Sequence, residues 1–430
     1  MSQRMQTTPD PVLIQPASAA EVAAALRSAS DARQSIVIRG ADTKGEWGRP
    51  AARIDTVLDM RLMNRILAHE HGDLTATIEA GATLREVNEA LAVHGQTLPL
   101  DPPFADRATI GGMLATNDSG PLRHRYGTPR DLVIGIRLAT TDGVLSKAGG
   151  QVVKNVAGYD LSKLITGSFG TLAAIVSATF KLAPLPAGSK TMKLSVQDAA
   201  ALAEIIRTVM ASQLEPVAFE IHVRSTQSSQ STPSNTLSAN SAASAFNGFS
   251  VLLRFASLPA VVDAQITQAT AGLKAFTTSL AVVDGDAERA LWQAHATEIW
   301  DQPGAIVRAS WLPASLASGL GELGRIQASL KACATDAEDA TSAGGVELSG
   351  RAAIGAGLIR IGGGTAAQAA VIEQLRASQV FGNIVIARGS AELKGLVDVW
   401  GSHGDRQPLF DSLKRAFDPN GVLNAGRGPL

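Results

Sequence analysis

The sequence predicts an α+β protein of two domains, and three observations carry that prediction. Short β-branched runs alternate with amphipathic helical stretches along the 430 residues. Before Pro186, loops rich in glycine and other small residues are each tied to a strand. Past Pro186 the texture changes to a plainer alternation of two strands with a helix, the pattern of a split βαβ, ferredoxin-like sheet. A domain boundary is therefore expected near Pro186.

Bulk properties narrow the class. With 45% apolar residues and a formal net charge of -1, the composition is that of a soluble globular protein, long enough for two or three cores. The absence of basic excess and an aromatic content of 4% argue against a nucleic-acid partner. No apolar run approaches ~18 residues, so no transmembrane span is expected. The opening residues, MSQRMQTTPDP, lack the apolar core of a signal peptide, which points to the cytoplasm. Cys333 is the single cysteine, which excludes disulfide frameworks, thiolate zinc sites and iron–sulfur clusters within the chain. No metal site is expected.

Taken in order, residues 1–11 read as a flexible tail and 12–15 as an edge strand. An alanine-rich helix follows to about Ser28, with Ser18 as cap and Glu21 at the capping-box position. The buried-looking strand 35–38 runs into Arg39-Gly-Ala-Asp-Thr-Lys-Gly-Glu-Trp-Gly48. Such a loop either decorates the surface or aims successive main-chain N–H groups at an anion. It is not a Walker loop, because the spacing before a Lys-Ser/Thr pair is missing. Strands are expected at 56–60 and 75–80, and a helix at 83–94 capped by Thr83 and Glu86. His69, His71 and His94 sit among surface-like residues and read as ordinary solvated histidines.

A second small-residue stretch spans 100–121. Its helix at 108–115 is expected to offer free N–H groups and its dipole to a phosphate. Arg123 and Arg125 supply positive charge or are simply solvated. Asp131, just before a strand at 132–140 that forms a hairpin with the next one, is placed either to brace the loop or to touch a ligand. A third stretch, 152–186, sets two glycine-bearing turns about a short helix at 160–166, followed by a β-branched strand at 174–182 that stops at Pro184. Small residues packed this closely beside a buried strand suit something flat or anionic lying against the backbone, or tight packing alone.

Beyond Pro186, helices are expected at 199–212, 258–275, 286–297, 314–332 and 365–377. Strands are expected at 216–223, 249–255, 305–311, 357–361 and 383–387. Residues 225–247, almost wholly Ser, Thr, Gln, Asn and Ala, read as a disordered insertion. Gly362 to Ala367 fits G-x-G-x-x-A, but a lone match in a strand-to-helix turn is a decoy for a dinucleotide site. After a helix at 409–417, the segment 420–426 alternates turn formers with Val422 and Leu423, as a docked tail would.

These motifs together resemble one family. IRGADTK at 38–44, ATIGGMLATNDSGP at 108–121, KNVAGYDLSKLITGSFGTL at 154–172, VDVWG at 397–401 and FDPNGVLNAGR at 417–427 are similar to flavoproteins of the vanillyl-alcohol-oxidase/PCMH type. Within that type they look most like the FAD-binding subunits of bacterial glycolate oxidases. The resemblance spans the chain from Ile36 to Gly426 apart from the Ser-rich insertion. It implies a two-lobed PCMH-type FAD-binding domain at 12–186, a smaller ferredoxin-like α+β cap at 187–405, and a segment at 406–430 docking back on the FAD domain.

It further implies that Arg39, Gly40, Ala41, Asp42, Thr43 and Lys44 wrap the FAD pyrophosphate, a cradle continued by Asp106, Thr109, Gly111 and Gly112. Ser119 and Gly120 would lie along the ribityl–isoalloxazine side, with Gly127, Arg130 and Asp131 beside them. Asn155, Gly158 and Tyr159 would line the flavin. Lys154 would place positive charge near its reduced form. Gly170, Ala174 and Ile175 would run past the adenine or the ring edge. Relatives that tether flavin covalently carry a histidine in the first loop, where Thr43 stands here, so FAD is expected to be non-covalent.

The second domain departs from its hydroxy-acid-oxidising relatives. His222, His295 and His403 are far apart in sequence, so the metal and substrate cluster of those relatives is expected to be missing and no catalytic residue is assigned. His295 reads as structural. The implied function is the FAD-binding subunit of a glycolate (2-hydroxy-acid) oxidase or dehydrogenase complex. Its expected partners are a second flavoprotein subunit and an iron–sulfur subunit, and the expected location is the cytoplasm, with peripheral attachment to the inner membrane through the complex as the alternative. The alternatives are a self-contained FAD oxidoreductase with Tyr159, Arg308 or Trp311 in its pocket, and a scaffold subunit that has lost flavin.

Overall fold

The computed structural model of the chain describes residues 10–51, 53–150, 159–225, 246–333 and 345–429. The expected insertion at 225–247 falls mostly outside them, as do Lys154, Asn155 and Gly158. The chain divides into two compact units. The first comprises residues 1–119, 127–185 and 403–430, and the second 120–126 and 186–402. The segment 120–126 thus sides with the second unit, although sequence continuity places it in the first.

In the first unit, β1 (Val12–Ile14), α1 (Ala19–Asp31), β2 (Ile36–Arg39) and β3 (Thr56–Asp59) build a parallel three-stranded sheet in the order β1-β3-β2. Ser18 caps α1 by accepting from the Glu21 N–H, while the Glu21 carboxylate accepts from the Ala17 N–H. Next come β4 (Ile66–Glu70), β5 (Thr75–Glu79), α2 (Leu84–Ala92), β6 (Gln96–Thr97), α3 (Ile110–Thr116), α4 (Arg123–Tyr126, which belongs to the second unit), α5 (Pro129–Leu132), β7 (Val133–Ala139), β8 (Leu145–Gly149), α6 (Leu161–Ile165), β9 (Ala174–Lys181) and β10 (Ala183–Pro184). Strands β4, β5, β9, β7 and β8 form an antiparallel sheet in that order. The Thr83–Glu86 capping box opens α2, whose Leu84, Val87 and Leu91 fall on one buried face. That face joins Ile78, Phe180, Met113 and Leu114 in one core. A second core packs Val22 and Leu26 of α1 on Ile36, Leu58 and Leu423. Each such side chain contributes about 1.5–3 kcal/mol on leaving water.

The second unit is one eight-stranded antiparallel sheet made of two similar halves. β11 (Gly188–Val196), α7 (Ala199–Met210), β12 (Ala218–Ser225), β13 (Phe246–Ser257), α8 (Pro259–Leu273) and β14 (Ser279–Asp284) pair in the order β14-β11-β13-β12. After α9 (Gly285–Asp301), the pattern repeats. β15 (Ala305–Trp311), α10 (Leu316–Cys333), β16 (Val346–Arg351), β17 (Ala356–Ile361), α11 (Thr365–Ala377) and β18 (Phe381–Arg388) pair in the order β16-β17-β15-β18. Each half is a βαββαβ unit of the expected ferredoxin type, and antiparallel pairing of β12 with β16 joins them. Gly362 to Ala367 is the turn from β17 into α11, with Gly364 at the N-cap.

Strands β4, β6, β11, β14 and β16 have no counterpart in the sequence expectation, and for β11 and β16 the second unit's sheet explains why, since Thr191 and Glu347 are buried polar residues. Phe219, Ile221 and Val223 of β12 point into the apolar core, whereas Glu220 and His222 between them are buried on the opposite face. Helix α9 covers that face with polar contacts. Glu288 accepts from Thr191 at 2.6 Å and pairs with Arg254 at 3.2 Å, and Trp292 Nε1 donates to Thr191 at 2.9 Å. His295 lies 3.3 Å from Glu220, and Glu298 lies 3.3 Å from His222. Strands with a polar buried face lack the apolar density by which buried strands are recognised.

His222 and His295, far apart in sequence, are consequently neighbours with ring centroids 6.4 Å apart, and the expectation of isolated histidines is corrected. His222 bonds Glu347, which also accepts from Arg360 at 2.9 Å. Burial pushes the His222 imidazole below its ordinary pKa despite that carboxylate. Burial opposes the Glu347 charge, but its bonds from His222 and Arg360 prevail and hold it below the usual carboxylate range. Burial likewise depresses His124, on α4.

A histidine kept neutral in the fold but free to protonate in the unfolded chain stabilises the fold above its unfolded pKa of about 6.5. That contribution is lost as pH falls below 6.5 toward the depressed folded value. Thermal melts are expected to show stability falling from pH 7 to pH 5.5, by at most about 1.4 kcal/mol per pH unit for each such histidine. His222→Gln should flatten the slope; a slope equal to wild type would contradict this account.

Candidate functional site

The parallel sheet of the first unit delivers two strand ends to one place, as α/β sheets do at ligand crevices. From the end of β2 come Ile38 to Gly45, and just after β3 comes Met60. Ala80 follows β5, Thr109 to Thr116 belong to α3 and its cap, Phe169 to Ile175 lead into β9, and Asn424 and Arg427 come from the C-terminal tail. Together they line a partly open cleft.

Close approach of small residues shapes this cleft. A Cβ on Gly40 would stand 2.2 Å from Thr109 Oγ1, and one on Gly111 would stand 2.9 Å from the Ala80 Cβ and 3.0 Å from its carbonyl oxygen. Three other lining residues, Asp42 (φ 59°), Phe169 (φ 57°) and Asn424 (φ 40°), hold left-handed backbone. Non-glycine residues rarely adopt it without a functional or packing reason. In the first loop the Gly45 N–H donates to the Asp42 carbonyl and the Trp47 N–H to the Lys44 carbonyl. Among the described residues, the N–H groups of residues 41–44 make no main-chain hydrogen bond.

The tail is fastened from both sides. Ile36 N–H donates to the Val422 carbonyl and Asn424 N–H to the Ile36 carbonyl, both at 2.9 Å, so the tail extends the parallel sheet. Asn424 Oδ1 accepts from the Ile38 N–H at 3.1 Å, and its Nδ2 donates to the Phe169 carbonyl at 2.5 Å. Asp418 accepts from the N–H groups of Val422 and Leu423 and from Lys414, at the end of the C-terminal helix (Gln407–Phe417). Arg427 donates to the carbonyls of Gly45 and Trp47 and is drawn to Asp42. Burial lowers its pKa, but a guanidinium stays charged. Lys44 lies 3.2 Å from Asp118, both side chains buried, and Arg39 lies 3.6 Å from the buried Asp59.

Of the residues expected at the site, Arg39, Gly40, Ala41, Asp42, Thr43, Lys44, Thr109, Gly111, Gly112, Gly170 and Ile175 line the cleft. The others among the described residues stand outside its lining. Asp106 is exposed beside Arg107, and Ala174 is buried among α1, β2 and β3 side chains. Ser119 is buried, and its N–H donates to Asp118. Gly127 turns at φ 84°, and Asp131 braces that turn by accepting from the Thr128 N–H and hydroxyl. Arg130 donates to Asn117 and to the Lys163 carbonyl. Tyr159 is 92% exposed, and Gly120 belongs to the second unit.

The expected phosphate-facing amino end of α3 is also corrected. Its N–H groups are taken internally, Ile110 by the Ala82 carbonyl, Gly111 by the Ala80 carbonyl and Gly112 by Thr109 Oγ1. The helix offers the cleft its small-residue flank instead. Sequence reasoning missed Ile38, Gly45, Met60, Ala80, Ala115, Thr116, Phe169, Asn424 and Arg427 as lining residues. The tail motif held a signal for Asn424 and Arg427; Met60 and Ala80 carry none, since only their place after a strand brings them there.

Comparison with known proteins decides what kind of cleft this is. The FAD binding domain family matches residues 11–149, the part that supplies the first loop and α3. Over residues 11–149 the chain is similar to that family. FAD is the cofactor that the cleft has to fit, and a crevice with unpaired main-chain donors, three nearby cations and a wall of small residues fits a diphosphate joined to a flat ring system. Glycolate oxidase subunit GlcE of Escherichia coli is 37% identical over 42% of this chain and 51% of its own. Glycolate oxidase subunit GlcD of Bacillus subtilis is 34% identical over 50% of this chain and 46% of its own. The mitochondrial D-lactate dehydrogenase [cytochrome] of Arabidopsis thaliana is 37% identical over 47% and 36%. The chain therefore spans about half the length, or less, of these relatives. Alkyldihydroxyacetonephosphate synthase superposes with a TM-score of 0.68, covering 96% of this chain and 76% of its own at 18% identity, a likeness of fold alone.

Replacing Asn424 by Ala leaves the Ile38 N–H and the Phe169 carbonyl without their partner, at about 1–3 kcal/mol for each group that stays buried. Asn424→Ala is expected to lower the melting temperature and the flavin content together, read by calorimetry and by absorbance near 450 nm (about, for an oxidised flavin). Asp42→Val, which forces a branched side chain into left-handed backbone, should cost about 1–2 kcal/mol. Asp42→Gly should be tolerated in the fold.

Proposed function

We propose that this chain is the FAD-binding subunit of an oxidase or dehydrogenase complex acting on glycolate or a related 2-hydroxy acid. The observation that carries the reading is the cleft lined both by residues 41–44, whose N–H groups make no main-chain hydrogen bond among the described residues, and by the small residues of α3. Its sequence similarity to GlcE and GlcD supports the choice of substrate class. Bound FAD supplies a two-electron acceptor. The N–H groups of residues 41–44, together with Gly40 and Thr109, would hold the diphosphate. Arg39, Lys44 and Arg427 would offset its charge. Gly111, Gly112, Ala115 and Gly170 would let the flat part of the molecule approach the backbone. No histidine, cysteine or tyrosine occurs among the described cleft residues, which supports non-covalent binding.

One cysteine cannot ligate an iron–sulfur cluster, so onward electron transfer through such a cluster needs another chain. This supports partners of the two kinds that the resemblance implies, a second flavoprotein subunit and an iron–sulfur subunit. No described helix is long and apolar enough to cross a membrane.

A second reading, a self-contained FAD oxidoreductase, draws on the buried imidazole–carboxylate pairs His222–Glu347 and His295–Glu220, groups suited to proton transfer. Trp311 drops out of that reading, because it is buried in the second unit's core against Phe381. Anaerobic mixing of the purified chain with glycolate and with D-lactate separates the two. The subunit reading expects a yellow protein, flavin released by acid precipitation, and bleaching by substrate only when the partner chains are added. Rapid bleaching of the chain alone would replace it with the second reading, and a colourless chain would remove both.

A further inference from the structure

Outside the cleft lining, three of the seven histidines meet. His69 lies on β4, His71 opens the turn that follows, and His94 stands in the turn after α2. One ligating nitrogen from each lies within 4.8 Å of the others. The His71 and His94 rings stack at 3.7 Å, and His69 stands edge-on to His71 at 4.2 Å. The expectation that each is an isolated solvated histidine is therefore corrected: sequence separation hid a cluster that the β4–β5 turn and the end of α2 assemble.

The buried Gln96 orients this cluster. Its Nε2 donates to the His71 main-chain carbonyl at 2.9 Å, a partner that can only accept. That bond fixes the amide, so the Gln96 Oε1 faces His69 Nε2 at 2.8 Å, and His69 must be the donor there. The proton on Nε2 leaves Nδ1 with its lone pair free. A side chain that holds one ring nitrogen as a donor and frees the other is the outer partner that metal-ligating histidines have.

We propose that His69, His71 and His94 form a binding site for a zinc-class divalent cation. Three imidazole nitrogens without a carboxylate select zinc, nickel or copper over magnesium or calcium, which take oxygen ligands. Tetrahedral zinc with bonds of about 2.0–2.1 Å needs nitrogens about 3.3 Å apart. The nitrogens, within 4.8 Å of one another, would have to close to that spacing, and His71 and His94 are exposed. Their exposure leaves the fourth position to water. Bound metal would pin the β4–β5 turn to the end of α2.

Zinc chloride titrated into the full-length protein, in competition with a chromophoric chelator, tests the site. The result expected is one equivalent bound, a raised melting temperature at saturation, and at least about tenfold weaker binding in His94→Ala and in His71→Ala. Both substitutions are at exposed positions, and flavin absorbance and circular dichroism report whether each variant is folded. Less than a tenth of an equivalent bound at tens of micromolar zinc (about ten times a micromolar dissociation constant) would overturn the proposal. So would wild-type affinity in folded His94→Ala and His71→Ala, which would place the metal elsewhere.

Discussion

The arrangement of the first unit depends on one cleft-lining side chain that comes from the C-terminal tail. Asn424 satisfies the Ile38 N–H at the end of β2 and the Phe169 carbonyl before β9, two groups more than 250 residues from it in sequence. A buried polar group must find a partner or carry a penalty of about 1–3 kcal/mol. The fold meets that requirement by bringing the tail back across the sheet. Fixing both groups with one amide also fixes the spacing of the loops that carry them. The cleft therefore has a definite width before any ligand arrives, and the tail belongs to the site as much as to the fold.

The same requirement organises the second unit differently. Its sheet buries an apolar face under four helices and a polar face under α9. On the polar face, carboxylates, guanidinium groups and two imidazoles pair within a few ångströms. Such an array gives less net stability than an apolar interface, since each charge loses water before it gains a partner. What it offers is a set of oriented proton donors and acceptors. Arg224 and Arg360 pair with Glu347, and Arg351 pairs with Glu220.

The doubling of the ferredoxin unit accounts for the size of this part of the chain. Edge pairing of β12 with β16 removes two exposed strand edges and leaves only β14 and β18 at the margins. The long polar stretch between β12 and β13 enters a hairpin connection of one half, where added length costs little loop-closure entropy.

Local sequence determined what local physics controls. The caps at Ser18 and Thr83, the helices they open, the β-branched strands and the glycine-bearing loop after β2 were legible because each follows from neighbours a few residues away. Motif resemblance added FAD and the cleft's first loop. Tertiary structure alone decided the rest. It turned the α3 amides inward onto Ala80 and Ala82, set Asp131 to bracing a turn, and recruited Met60 and Ala80 to the cleft through sheet pairing. It also gathered His69, His71 and His94, and set His222 beside His295. In each case the deciding partner lies on another element, and the pairing of buried polar groups across elements leaves no period or spacing in the chain that could announce it.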